Sequence, residues 1–152
     1  MRLPSIASPP PLFDRFAEPS SEPSGVRLSA TEAMQLSLQI DLTRLFNVRN
    51  ALTITQFLGT TPTALDYGLP DTLGLSAQSA TDLQRWELVI ARAIALYEPR
   101  LSQVRVVAAP DSIKPTAARI TITALAAVGD QMCQFNFDTA PDQRNVSVQA
   151  HA

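Results

Sequence analysis

The chain has 152 residues, 45% of them hydrophobic and 17% charged, with a formal net charge of −2. That length fits one domain plus a tail, and the apolar fraction is enough for one core. No lysine- or arginine-rich run is present to displace counterions, which argues against nucleic acid as a partner. Cys133 is the only cysteine and His151 the only histidine, so neither an intrachain disulfide nor a zinc site is expected. No cofactor is expected either. The N-terminus lacks an apolar signal core, and no run is long enough to span a bilayer. These features predict a soluble, cytoplasmic protein, and the low charge suits one whose surface is partly covered by partners.

Residues 1–27 hold Pro4, Pro9, Pro10, Pro11, Pro19 and Pro23 among serines, a composition that predicts a flexible, disordered arm. One apolar island interrupts it. Leu12, Phe13 and Phe16 form a short docking motif, packing either on a partner or on the chain's own core. A folded domain is expected over 28–150.

Ser29 and Glu32 form a capping box that opens a helix over 30–49. Met34, Leu38, Leu42, Leu45 and Phe46 recur at helical spacing, and Leu36 and Ile40 widen the stripe. Asp41, Arg44 and Arg49 lie off it. The stretch 53–58 reads equally as a short strand or a helical turn. Thr61-Pro62 looks like an N-cap followed by proline at the first helical position. Gly68 suits a left-handed position after that piece, and Pro70 blocks its continuation.

Ser76 or Ser79 caps a long helix that is apolar on most faces, from Leu83 to Tyr97. It is expected to lie on the sheet and on the first helix at once. The helix stops at Glu98-Pro99-Arg100, because proline gives no N–H and disfavours the α region for the residue before it. From there the period becomes two. Val104 and Val106, then Ile120, Ile122 and Ala124, then Cys133, Phe135 and Phe137 alternate with polar residues, and Gly129-Asp130 is a two-residue hairpin turn. A turn over 138–143 and a last strand over 145–149 complete an antiparallel meander. The fold class is α+β, with N-terminal helices packed on a small antiparallel β-meander. The last strand is an edge, either open to a partner's strand or simply short.

Glu98 is the one candidate catalytic acid, with Asp66 or Asp71 as the second carboxylate of a glycoside hydrolase. A guanidinium two residues away favours the charged carboxylate, the opposite of what a general acid needs. No nucleophile elbow, phosphate loop or dinucleotide fingerprint is present. Cys133 reads as a core thiol, and Trp86 and Tyr97 as core aromatics. The expectation is a non-enzyme in which Glu98, Pro99 and Arg100 form a structural or assembly motif.

Tyr67-Gly68-Leu69-Pro70-Asp71, then a long apolar helix into Tyr97-Glu98-Pro99-Arg100-Leu101 and Val104-Arg105-Val106, resembles the TssE family. TssE is a baseplate subunit of the bacterial type VI secretion system, similar to the sheath-initiator wedge protein of contractile-tail phages. Leu45-Phe46-Asn47-Val48-Arg49 looks like a helix end that in this family commonly reads Leu-Leu-Asn-Thr-Arg, with Val48 in place of the threonine and Asn50-Ala51 following. The resemblance spans most of the chain. It implies a wedge component that links baseplate to sheath and nucleates sheath polymerisation by strand pairing. Its partners would be other wedge subunits and sheath subunits, in a large hetero-oligomer at the cytoplasmic face of the inner membrane, without membrane insertion. Tyr67, Gly68, Leu69 and Pro70 would form a supporting turn. The rival readings are a lysozyme-like peptidoglycan hydrolase using Glu98 and a regulatory adaptor with a single partner.

Overall fold

The computed structural model describes residues 28–140 and 146–151. The N-terminal arm, with Leu12, Phe13 and Phe16, lies outside them. Helix α1 (Ala30–Asn47) starts at the expected capping box. Ser29 accepts from the backbone N–H of Glu32, and Glu32 returns the contact to the Ser29 N–H at 2.8 Å. Leu38, Leu42, Leu45 and Phe46 are its buried residues, a stripe one turn apart. Leu36 and Ile40, expected to widen that stripe, are instead 48% and 36% exposed. The helix ends two residues before the expected boundary, with Val48 already extended.

The ambiguous stretch is helical: α2 (Ile54–Gly59) begins at Thr53, which forms a second capping box with Gln56. The alternation there is too short to compete with that local closure. Thr61-Pro62 is not the next N-cap. Thr63 is, and it opens a single 3₁₀ turn (Ala64–Asp66) in which Asp66 accepts from the Thr63 N–H.

Helix α3 (Ala80–Tyr97) is capped by Ser79 and buries Trp86, Val89, Ile90, Ala93 and Ile94. It packs chiefly on the first strand and on α2, and touches α1 less. Leu88 and Leu96 face solvent, so one side of this apolar helix is uncovered.

Four strands follow in an antiparallel sheet of order β1-β2-β3-β4: β1 (Ser102–Pro110), β2 (Ala118–Val128), β3 (Gln131–Thr139) and β4 (Gln149–His151). Ile120, Ile122, Ala124 and Ala126 of β2 and Phe135 and Phe137 of β3 point into the core; the alternate residues face out. Each fully buried aliphatic or phenyl side chain of this layer contributes roughly 1.5–3 kcal/mol. Cys133 is only partly buried, at the margin of that face. β3 continues to Thr139, past the start of the expected turn, and the last strand begins at Gln149 instead of residue 145. The segment before it, Val146 to Val148, is held by side chains of α1 and has no ladder. Among the described residues no helix is long and apolar enough to cross a membrane.

Candidate functional site

The hinge between α3 and β1 is a turn closed by a hydrogen bond from the Leu101 N–H to the Glu98 carbonyl at 3.2 Å, with Pro99 at its first corner. The last helical N–H contact, Glu98 to the Ile94 carbonyl, is 2.8 Å. This turn folds Arg100 back onto Glu98. The guanidinium meets the carboxylate along two parallel bonds, Nε to Oε1 at 2.6 Å and Nη2 to Oε2 at 2.7 Å. A planar fork against a planar carboxylate is the strong form of this pair.

Two residues of α1 complete the site. Arg100 Nη2 also donates to Asp41 Oδ2 at 2.5 Å, and Nη1 donates to Ser37 Oγ at 2.9 Å. A guanidinium has five N–H donors, and these contacts use four of them. Glu98 is 5% exposed, whereas the Arg100 side chain retains 33%. Arg100 thus ties the end of α3 to the middle of α1, and its guanidinium is held above its ordinary pKa first by the hydrogen bonds to Glu98. The two charges of the motif bind each other.

Ser37 and Asp41 carry no marked signal in the sequence beyond their spacing. Four residues apart on a helix, they share one face. Asp41 was expected only to lie off the apolar stripe. The structure makes it a second anchor for Arg100, with Arg44 at 3.4 Å on its other oxygen.

The supporting turn packs beside this knot. Gly68 has φ +112, and a Cβ there would sit 2.5 Å from the Val48 carbonyl oxygen. Only glycine allows that approach. It lets the Leu69 N–H reach the Val48 carbonyl and the Asn50 N–H reach the Leu69 carbonyl, both at 2.9 Å, in a short parallel bridge of Arg49 with Leu69. Asn50 Nδ2 adds bonds to the Asp66 and Gly68 carbonyls. Leu69 and Pro70 are buried. The Val48 departure therefore falls where a backbone carbonyl makes the contact. Tyr67 sits edge-on to Tyr97 with ring centroids 5.2 Å apart. Burial, then the charge of Asp41, pushes its phenol pKa up, and Glu98 adds to this against Arg44.

The rival carboxylates serve local turns. Asp66 caps Thr63, and Asp71 accepts from the Leu73 N–H at 3.0 Å. Among the described residues no cluster of three His, Cys, Asp or Glu side chains is placed to hold a metal ion.

Glu98, Arg100, Asp41 and Ser37 fasten the junction of α3 and β1 to α1, inside an α+β domain. The chain belongs to the family of baseplate wedge protein gp25, whose family model matches residues 32–130. The TssE resemblance agrees with this, TssE being the type VI homologue of that protein. Membership makes the chain a structural component of a baseplate, assembled with other baseplate components. No curated protein and no solved structure gives a significant match.

Proposed function

We propose that this chain is the sheath-initiating wedge subunit of a type VI secretion baseplate. It links the baseplate to the sheath's first ring, nucleates sheath polymerisation by strand pairing, and has no catalytic activity. The observation that carries the reading is the Arg100 knot, which ties the hinge between α3 and β1 to the middle of α1. A template for a polymer needs a fixed sheet orientation, and a bidentate pair tied to a second helix supplies one. Both Glu98 oxygens are engaged by Arg100, which speaks against Glu98 as a general acid. Partners are other wedge subunits and sheath subunits, met in the cytoplasm at the face of the inner membrane, with Leu12, Phe13 and Phe16 of the N-terminal arm as a short docking motif for a partner or for the chain's own core. This family-based reading favours assembly over the hydrolase and the single-partner adaptor.

The test counts fluorescent sheaths per cell in strains carrying Arg100→Ala or Arg100→Lys. Alanine removes the knot; lysine keeps the charge but lacks the planar fork. Both are expected to lose sheath assembly. A normal number of sheaths in both strains sinks the assembly role of the hinge. Peptidoglycan turbidity provides the second arm: clearing by the wild type that disappears in Glu98→Gln would establish the hydrolase instead.

A further inference from the structure

Strand β1 closes the sheet on one side, with β2 as its only strand neighbour among the described residues. The Ala108 N–H points away from β2 and donates to Glu87 Oε1 of α3 at 2.9 Å. Residues two apart on a strand share their edge direction, so Val106 also presents its backbone outward. Regular pairing is confined at both ends of the strand. Pro110 has no N–H, and the register slips between Ser102 and Arg105, where Gln103 has φ 49. The stretch between the kink and the proline, 105–109, has the length of an ordinary strand.

That stretch is complementary to itself. Two copies laid antiparallel about Val107 would set Val106 of each against Ala108 of the other, so that the outward residues exchange their backbone bonds. Val107, 46% exposed on the outer face, would meet its own counterpart. Arg105 would meet Ala109, so no like charges are opposed. An edge of this kind is a template for pairing with another copy. Glu87 stands in its way. A second strand must take the Ala108 N–H from a carboxylate, and bonds to a charged acceptor are the stronger kind. A symmetric pair must displace two such carboxylates and hold both beside a closed ladder, where they lose hydration.

We infer that Glu87 is an edge guard, which keeps this chain from pairing with a second copy of itself through β1. The inference stands apart from the sheath reading and holds whatever partner the sheet meets. Its consequence for assembly is that copies stay available to other subunits instead of consuming one another.

The test measures the mass of the purified full chain by sedimentation over a range of concentrations. The wild type is expected to be a monomer, and Glu87→Ala to approach twice that mass as concentration rises. Glu87→Gln keeps an oxygen for the same bond and is expected to stay a monomer. Adding Val106→Pro to Glu87→Ala deletes an outward N–H without touching the β2 ladder, and is expected to restore the monomer with cooperative melting intact. A Glu87→Ala chain that melts cooperatively and stays monomeric overturns the proposal. So does a dimer that survives Val106→Pro, because it forms elsewhere. A Glu87→Gln chain that dimerises as readily as Glu87→Ala, or a wild-type dimer that Val106→Pro dissolves, overturns it as well. If Glu87→Ala loses its cooperative melting, amide exchange in the wild type decides. Ala108 is expected to exchange about tenfold or more below its free-chain rate, and exchange at the free-chain rate overturns the guard.

Discussion

Arg100 engages Glu98, Asp41 and Ser37 at once, so little of it is left for a partner to bind. Arg100 is only half-buried, but with four of its five N–H donors engaged inside the chain it is a fastening and not a docking cation. The two tyrosines, Tyr67 and Tyr97, register the same neighbourhood. Burial raises both phenol pKa values, with Asp41 adding to the first and Asp66 to the second. A raised folded-state value means that the stabilisation is fully present below the unfolded pKa of about 10 and is lost as pH rises through the folded value. Because the chain has only two tyrosines, tyrosinate absorbance can follow them directly. Both midpoints are expected above the free phenol value of about 10, with stability to urea declining as they titrate. A midpoint at or below the free value would contradict this packing.

At the scale of elements, the boundaries are decided by caps and by one glycine. Ser29-Glu32 and Thr53-Gln56 each close a reciprocal box, which settled a helix where the apolar pattern over 53–58 left two readings. Gly68 joins the end of α1 to the turn before α3. Gly68→Ala would force a Cβ into the Val48 carbonyl at a φ that side chains rarely adopt. The expected loss is about 1–3 kcal/mol in urea unfolding. An unchanged midpoint would show that the bridge between Arg49 and Leu69 does not hold these elements together.

Across the whole molecule, α1 reaches the far end of the chain. Asn47 Nδ2 donates to the Val146 carbonyl at 2.6 Å, and its Oδ1 accepts from the Val146 N–H at 2.8 Å. Thr43 Oγ accepts from the Val148 N–H at 3.3 Å. These side chains replace a strand neighbour for the segment that leads into β4. Asn47→Ala is expected to speed amide exchange at Val146 and in β4, while β2 and its neighbours stay protected. Unchanged exchange in β4 would mean that pairing with β3 alone holds that edge.

Much of this architecture is local, and local chemistry is visible in a sequence. A helix stripe, a capping box, a proline stop and a period of two are all decided within a few residues, so the α+β order and the helix-to-strand hinge could be read directly. The Glu98–Arg100 pair was visible for the same reason, being two residues apart. Its other anchors were not. Asp41 and Ser37 lie 59 and 63 residues from Arg100, and nothing in an isolated helix distinguishes them from other polar positions. Nor does the sequence mark Glu87 as the group that occupies the β1 edge, or Asn47 as the clamp on Val146. Those contacts exist only once the sheet has packed against the helices and desolvated groups must find partners wherever the fold has brought them.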